Sequence, residues 1–207
     1  MCYGHIHTKQ AIFISMAKPM PKYSKIHYGF TLIELMMTIA IGAIVLTLAV
    51  PSFNTVIRND RLTTRTNELV ASLNFARSEA IKRGIRVTAC KSQNPNATPP
   101  SCTTSNSVNW SIGWIIFTDP NNNATFDSNT ETLLRIQENP LTNITMTGSL
   151  NIANYISFVA SGQSRLTNGN HQSGNIKVCD DRTGNIGVNI ALNNAGRLLT
   201  QQEIACP

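Results

Sequence analysis

Residues 29–53, GFTLIELMMTIAIGAIVLTLAVPSF, decide what kind of protein this chain can be. From Phe30 to Val50 the stretch is almost wholly apolar, and its roughly 20 residues are enough for a helix to cross a bilayer. Glu34 is the one charged residue within it. Because an ionised carboxylate in hydrocarbon costs about 3 kcal/mol or more, an acid in such a span is expected to serve a function. The alternative is that burial simply keeps Glu34 protonated.

The pattern that follows the predicted span indicates that the helix continues over residues 51–84. Pro51 would normally break a helix, but helical periodicity resumes directly after it, so we expect one long, bent helix. Apolar and small residues recur at steps of three and four, which places them on one face. The residues of this face are Leu62, Thr66, Leu69, Leu73, Ala76 and Ala80. Gly84 follows the last of them and is predicted to end the helix.

Residues 85–207 have a different texture, with short β-rich runs separated by Asn, Ser, Thr and Gly. Such runs indicate strands and turns, so the fold class is α+β, with enough chain for one globular domain. The stretch Ser92–Asn109 contains three prolines and is predicted to be a surface loop. The predicted strands are Ile85–Lys91, Trp110–Thr118, Thr132–Gln137, Ile144–Gly148, Tyr155–Ala160, Asn175–Cys179, Gly187–Leu192 and Arg197–Gln201.

Three segments of the chain resemble known proteins. The segment GFTLIE, Gly29–Glu34, resembles the N-terminus of type IV pilins and pseudopilins. Trp110–Asp119 and the closing pattern Ile190–Arg197 resemble the minor pilins and pseudopilins of the GspH/FimT family. The resemblance implies a type IV pilin-like fold, in which a long N-terminal helix packs against antiparallel β-sheets. It divides the chain into a prepilin leader (1–29), a transmembrane assembly helix (30–50), its amphipathic continuation (51–84) and a periplasmic β-rich domain (85–207).

The same resemblance implies how the N-terminus is processed and used. In that superfamily a dedicated peptidase cuts after the glycine and methylates the new N-terminus. Cleavage would therefore fall between Gly29 and Phe30, with Phe30 N-methylated. The Glu34 carboxylate would then meet the N-terminal ammonium of a neighbouring subunit, since opposite charges attract strongly at low dielectric. The implied partners are other pilin or pseudopilin subunits, the prepilin peptidase/methyltransferase and the inner membrane.

The leader also changes the charge balance of the chain. It is longer than is typical, and Met20 offers an alternative start that would leave residues 1–19 untranslated. The leader holds four lysines and no acid, so the formal net charge of +6 falls to +2 in the mature chain, with 13 basic and 11 acidic residues. A small excess of this kind does not by itself indicate nucleic-acid binding.

Four cysteines remain in the mature chain, an even number that suits disulfides in an oxidising periplasm. Four cysteines allow three connectivities. Pairing Cys90 with Cys102 and Cys179 with Cys206 is favoured, because each bridge closes a local segment. A zinc site is the alternative, but CxxC spacing is absent and His171 is the sole mature histidine. We therefore predict no metal site and no cofactor.

The segment after the second predicted strand has the oxygen-rich composition of a calcium loop. Asp119, Asn121, Asn123 and Asp127 supply the oxygens, but Ala124 stands where an EF-hand requires glycine. The alternative is a hairpin loop whose Asn and Asp side chains accept hydrogen bonds from their own backbone. The second reading is favoured.

Trp110 and Trp114 lie four residues apart and would share one face of a strand. One interpretation is that both belong to the core. The other is that they form an exposed surface on which the bases of a nucleic acid stack.

The C-terminal hairpin raises the question of DNA binding. Some members of the family are associated with binding DNA during natural transformation through a Gly-Arg-x-Arg segment. Here Gly196-Arg197-Leu198-Leu199 keeps the first arginine and has leucine in place of the second. Phosphate binding needs several cations on one surface. The candidates are Arg165, Lys177, Arg182 and Arg197, with Arg86 nearby. The alternative is that Arg197 simply lies at the rim of a hairpin.

No motif for catalysis is present in the sequence. His171 has no nearby Asp or Cys partner, and neither GxSxG nor a phosphate-binding glycine motif occurs. We predict a non-enzyme, a minor pilin of the FimT kind that is held in the inner membrane by one span and incorporated into a type IV pilus. The alternative is pseudopilin H of a type II secretion system, which acts in protein export. A third hypothesis is a receptor for double-stranded DNA.

Overall fold

The chain forms one long helix followed by two antiparallel sheets. The computed structural model describes residues 29–138 and 143–206, so residues 1–28 of the predicted leader lie outside it. The helix is α1 (Leu32–Arg83), and a short 3-10 turn spans Leu150–Ile152. The strands are β1 (Val87–Lys91), β2 (Gly113–Thr118), β3 (Leu133–Glu138), β4 (Ile144–Gly148), β5 (Tyr155–Phe158), β6 (Gly174–Asp180), β7 (Gly184–Leu192) and β8 (Leu198–Cys206).

The part of the chain up to Thr47 is a unit of its own. Here α1 begins at a capped turn, because the amide of Glu34 donates to Oγ1 of Thr31 at 3.2 Å and the amide of Leu35 donates to the Thr31 carbonyl at 3.2 Å. A side-chain oxygen at this position satisfies an amide that has no partner within the helix. Over the described residues, no helix combines the length and the apolar character needed to cross a membrane. The span at 30–50 stays a prediction.

The second unit starts at Leu48 and contains the rest of α1 and both sheets. The helix face expected from the sequence is the buried one: its six residues, from Leu62 to Ala80, are each at most 3% exposed. The helix ends where predicted, at Gly84, which has a φ of +68° and donates to the Ala80 carbonyl at 3.0 Å. A positive φ is easily adopted by glycine, which has no Cβ to clash.

The two sheets have four strands each, all antiparallel. The first sheet has the order β3-β2-β1-β5 and the second has the order β4-β6-β7-β8. All eight predicted strands are present, so the fold class is confirmed. The main difference is at β8, which was expected to end at Gln201 but continues to Cys206. It does so because its pairing with β7 extends to the partners Gly184 and Cys206.

A single main core lies between the helix and the inner faces of the sheets. Trp110 and Trp114 are both fully buried in it, so the alternative of an exposed stacking surface is wrong. The indole Nε1 of Trp110 donates to the Ile152 carbonyl at 3.1 Å, which satisfies the polar atom of a buried aromatic side chain. The second sheet buries one side only: Ile176 and Val178 of β6 point inward, whereas its alternate residues are mostly exposed.

Two disulfides fix the ends of strands, and both join the pairs favoured from the sequence. Cys90 is bonded to Cys102 and holds the base of the loop that follows β1. Cys179 is bonded to Cys206, which ties β6 to β8 although β7 lies between them in the sheet. The second bridge can pass over β7 because the strand has a register irregularity and a glycine, Gly187, at that point.

Candidate functional site

The N-terminal motif places Glu34 in the first turn of α1. A carboxylate at this end of a helix is favoured by the helix dipole, and Thr31 followed three residues later by glutamate is the signature of a capping box. The Thr-x-x-Glu spacing signals this role of Thr31, which is not among the roles predicted above from the sequence. Glu34 is exposed and forms no ion pair within residues 29–138 and 143–206. Its carboxylate is therefore available to a group outside the described chain.

The apolar side chains around Glu34 are exposed on every side of the helix. Eleven large apolar side chains between Phe30 and Leu46 are between 57% and 82% exposed, with Phe30 the most exposed. They are Phe30, Leu32, Ile33, Leu35, Met36, Met37, Ile39, Ile41, Ile44, Val45 and Leu46. An apolar surface of this kind is stable only when lipid or other apolar helices cover it.

The four cations proposed for DNA binding lie in three different places. Arg165 and Arg197 belong to two loops that contact one another. Lys177 lies in the middle of β6, exposed on the outer face of the second sheet, where it pairs with Thr147 of β4 and Asn189 of β7. Arg182 lies in the β6–β7 turn. The structure therefore brings together only two of the four.

Two glycine turns hold Arg165 and Arg197 at the same end of the domain. The Gly162 turn (residues 159–163) and the Gly196 turn (residues 193–197) both contain a glycine with positive φ, +76° and +73° respectively. A Cβ at Gly196 would collide with the Gly162 carbonyl oxygen, so the two backbones are in direct contact. Oγ of Ser164 adds a hydrogen bond of 2.9 Å to the Asn193 carbonyl.

Arg77 of α1 bridges the same two turns. Its Nε donates to the Gly162 carbonyl at 2.8 Å and its Nη2 donates to the Ala195 carbonyl at 3.2 Å. Arg77 is not among the site residues predicted from the sequence. Its partners are 85 and 118 positions away, and an arginine on the polar side of a helix carries no local signal of such contacts.

Arg86 supports the Arg165 loop from beneath and is not a surface cation. It is 9% exposed, and its Nη1 donates to the carbonyls of Arg165 at 3.0 Å and Leu166 at 3.3 Å. Burial lowers the pKa of Arg86, with the Asp119 carboxylate acting in the opposite direction. A buried guanidinium that is bound to main-chain oxygens can position the loop but cannot reach a phosphate.

The guanidinium of Arg182 is bound by side chains of its neighbours at the other end of β7. Its Nη2 lies 2.6 Å from Oδ2 of Asp180 and also donates to Oδ1 of Asn59. Burial raises the pKa of Asp180, but the hydrogen bonds from Arg182 outweigh it, so that the pKa falls below its usual value. Asp181 lies beside this pair, bound to Arg58 at 3.0 Å. The charges here are balanced, and Arg182 is not free to bind an anion.

In the oxygen-rich segment after β2, side-chain oxygens accept hydrogen bonds from backbone amides of the same segment. Asp119 is fully buried and accepts from the amides of Asn123 and Ala124 at 3.0 and 3.1 Å and from Oγ1 of Thr88 at 2.7 Å. Asn121 likewise accepts from the Asn123 amide. Within the described ranges no cluster of His, Cys, Asp or Glu has the arrangement of a metal site. The geometry is that of a hairpin loop with Asx hydrogen bonds.

The fold and the N-terminal motif together define a pilin-like protein, with an apolar N-terminal helix that continues into a helix packed on antiparallel sheets. Among solved structures, the type IV minor pilin FimU of Pseudomonas aeruginosa has the same fold. One crystal form gives a TM-score of 0.52 at 17% identity, over 70% of this chain and 92% of that one. A second crystal form gives 0.49 at 18% identity, over 69% and 94%. No curated protein matches this chain.

Family models identify the chain more closely. The model of type II transport protein GspH matches residues 65–196, more than half of the sequence, and the model of the prokaryotic N-terminal methylation motif matches residues 25–50. The chain belongs to the GspH family, whose members are minor pilins and pseudopilins of type IV pili and type II secretion systems. This is a family of structural subunits that assemble with other pilin subunits.

Proposed function

We propose that this protein is a minor pilin that takes part in the assembly of a type IV pilus. It is inserted in the inner membrane through residues 30–50, cut between Gly29 and Phe30, methylated on Phe30 and built into the filament with its β domain on the periplasmic side. It performs no catalysis. The observation that carries the proposal is the N-terminal motif itself, where the exposed carboxylate of Glu34 stands among the exposed large apolar side chains between Phe30 and Leu46.

Assembly follows from the physical needs of this segment. An apolar helix that leaves lipid needs other helices around it, and neighbouring subunits supply them. The carboxylate of Glu34 needs a cation in the same apolar surroundings, and the freed N-terminus of an adjacent subunit supplies one. Such a pair forms only when the subunits are in register, because an uncompensated charge is costly in a low dielectric. Glu34 therefore selects the correct docking position.

Two glutamate variants and one control test this role. Glu34→Gln keeps the size of the side chain and removes its charge, so we expect normal membrane insertion and little incorporation into sheared pili. Thr38→Ala is the control, because among residues 29–138 and 143–206 the one partner of Oγ1 of Thr38 is the Leu35 carbonyl of the same helix, at 2.8 Å. Glu34→Asp should restore part of the incorporation. Wild-type levels of Glu34→Gln in the filament would contradict the proposal.

Cleavage at Gly29 is tested separately, on the size and the N-terminus of the protein. A bulky residue in place of Gly29 should leave the leader attached, so that the protein in membranes is about 29 residues longer by mass spectrometry if translation starts at Met1, or about 10 if it starts at Met20. Mature protein of normal size from such a variant, or an unmodified N-terminus other than Phe30 in the wild type, would place the processing site elsewhere.

The choice between a pilus and a secretion machine needs a genetic test. The structural neighbour FimU is a type IV minor pilin, which favours the pilus, whereas the family model is described as a type II transport protein, which favours the pseudopilus. Deletion of the gene, with piliation, protein secretion and DNA uptake scored side by side, separates them. Loss of pili with normal secretion supports our proposal, and the reverse result supports the type II pseudopilin.

A second candidate function is binding of double-stranded DNA. The observation that favours it is the contact between the loops of Arg165 and Arg197, which gives two cations at one end of the domain. The guanidinium of Arg197 is exposed and makes no hydrogen bond within the described residues. Each phosphate contact contributes about 0.9 to the slope of log affinity against log salt. A mobility shift of a short duplex with the full chain in neutral detergent tests this, and no shift at low salt would dismiss the role.

A further inference from the structure

We infer that Arg77 is a positioning residue that joins the Gly162 turn and the Gly196 turn into a single surface for the phosphates of a DNA duplex. The inference rests on the proposed DNA binding for its ligand, but the coupling of the two turns can be tested without DNA. It assigns a role to a helix residue outside the C-terminal hairpin. It also makes the loop that holds Arg165 as much a part of the surface as the hairpin itself.

Each of the two turns depends on its own local hydrogen bonds. In the Gly162 turn, the amide of Gly162 donates to the Val159 carbonyl at 2.8 Å. In the Gly196 turn, the amide of Gly196 donates to the Asn193 carbonyl at 2.9 Å. These bonds fix the shape of each turn. They do not fix the position of one turn relative to the other.

The two turns meet through their backbones at the two glycines, and Oγ of Ser164, one residue beyond the Gly162 turn, adds one hydrogen bond to the Asn193 carbonyl at 2.9 Å. Both glycines are buried, and neither leaves room for a Cβ, since one at Gly162 would lie 2.8 Å from Cδ1 of Ile81 and 3.3 Å from Nε of Arg77. The carbonyl oxygens of Gly162 and Ala195 both face the helix at this junction, where Arg77 reaches them. Without a donor, the part-buried Gly162 oxygen and the exposed Ala195 oxygen would both lose this partner.

Among the cationic side chains, only arginine can donate to both oxygens at once. Its guanidinium presents several N–H groups in a rigid plane, so that Nε and Nη2 can donate to two different acceptors at once. A lysine ammonium has the same charge but is a point donor on a flexible stem, and it can reach one of the two oxygens at best. The Arg77→Lys variant therefore separates the geometry of the bridge from its charge.

The consequence concerns how a duplex is bound. Arg165 lies three residues after Gly162 and Arg197 lies one residue after Gly196, so the bridge by Arg77 fixes two cations that are 32 positions apart in the sequence. Since Leu199 occupies the position of the second arginine in the hairpin pattern, the loop supplies the second cation from Arg165. Its guanidinium is held within the loop by donating to the Gly169 carbonyl at 3.2 Å and to Oε1 of Gln163 at 2.8 Å, and neither of these neutral partners cancels its charge. The phosphate contacts of the two arginines should then be lost together when the turns separate.

The test uses two charge-conserving variants of the full chain in neutral detergent. Arg77→Lys is compared with Arg58→Lys, its matched control, because Arg58 also joins the helix to a turn of the second sheet, through Asp181 at 3.0 Å, but at the other end of β7. Hydrogen exchange followed by mass spectrometry reports on the amides of Gly162 and Gly196. Thermal unfolding checks that each variant is folded.

We expect the amides of both turns to exchange faster in Arg77→Lys than in the wild type, and to exchange at the wild-type rate in Arg58→Lys. For DNA, we expect the salt slope of Arg77→Lys to fall by about 0.9 or more, the share of at least one phosphate contact, with no change in net charge. Unchanged exchange in the two turns overturns the inference, as does an unchanged salt slope in a protein whose turns have separated. Should the wild type bind no duplex while Arg77→Lys still loosens both turns, the DNA role fails and the bridge by Arg77 is supported.

Discussion

Gly187 lies beneath the Cys179–Cys206 disulfide, and alanine at this position should destabilise the fold. A Cβ there would lie 2.5 Å from Sγ of Cys206, 2.9 Å from Cγ1 of Ile204 and 3.0 Å from the carbonyl oxygen of Val178. All three distances are too short, and the sulfur and the carbonyl are held by a covalent bridge and by the sheet. Because overpacking of this kind costs about 1–3 kcal/mol, we expect Gly187→Ala to lower the free energy of unfolding by about 2 kcal/mol.

The source of that cost can be isolated with a double-mutant cycle. Replacing Cys179 and Cys206 by alanine removes the sulfur, which is the nearest of the three atoms. In this background we expect the cost of Gly187→Ala to fall by about 1 kcal/mol, a coupling of the size seen between residues in contact. Gly184→Ala is the control, since it lies on the same strand with no atom near its added Cβ and a φ of +109°. Its cost is backbone strain, which the disulfide should not alter.

The assay is urea unfolding of the full chain in neutral detergent, followed by tryptophan fluorescence. Trp110 and Trp114 are both fully buried, so their emission should shift when the β domain unfolds. In thermal unfolding, 2 kcal/mol corresponds to about 4–8 °C for a chain of this size. If Gly187→Ala costs the same with and without the disulfide, the sulfur is not what excludes a side chain, and the account of how the bridge crosses β7 is wrong.

Three further predictions concern buried or paired charges. Burial and the nearby carboxylates raise the pKa of Glu131, so its folded-state pKa exceeds the unfolded value and the ionised side chain destabilises the fold at pH 7. Glu131→Gln should therefore raise the free energy of unfolding in urea titrations at pH 7. This gain in stability should vanish as the pH falls below about 4.5. The pKa of Asp180 is lowered, so the ionised carboxylate stabilises the fold above its ordinary pKa of 3.8, and this stabilisation is lost as the pH falls through the folded-state pKa. Asp180→Asn should therefore lower the free energy of unfolding at pH 7, and the difference from wild type should shrink in acid. Nζ of Lys91 donates to the carbonyls of Ser105 and Val108, both at 2.8 Å, and so holds the loop 92–109 against β1. Lys91→Met should lower the free energy of unfolding by about 1–3 kcal/mol and make this loop more sensitive to protease. Unchanged protease sensitivity of the loop would contradict this role.

The sequence is informative wherever structure depends on neighbours along the chain. The buried helix face follows from steps of three and four residues, and the end of the helix follows from Gly84. The strands follow from β-rich runs between turn residues, and the two disulfides join cysteines only 12 and 27 positions apart. In each of these cases the residues that determine the outcome lie within one element, one loop or a few consecutive strands.

The sequence is least informative where contacts join distant parts of the chain. Arg77 and Arg86 stand in or just after a charged helix, and nothing local distinguishes them from the solvated cations around them. Arg86 is buried because a loop from residues 165 and 166 covers it, and that contact exists only after the sheets form. By contrast, the pairing of Arg182 with Asp180, two residues away, could have been anticipated from the Asp-Asp-Arg run.

The topology of the second sheet also limits what the four cations can do together. In consecutive antiparallel strands, successive turns lie at opposite ends of the sheet, so Arg182 in the β6–β7 turn and Arg197 in the β7–β8 turn are separated by the length of β7. Nine residues at 3.4 Å each give roughly 30 Å. A duplex that touched both would have to run along the outer face of the sheet past Lys177. It would then meet Asp180 and Asp181, whose carboxylates already neutralise the cations around them. Arg182→Gln should therefore leave the salt slope of DNA binding unchanged, whereas Arg197→Gln should lower it by about 0.9. Equal effects of the two variants would mean that the duplex lies along the sheet and not across the end that holds Arg165 and Arg197.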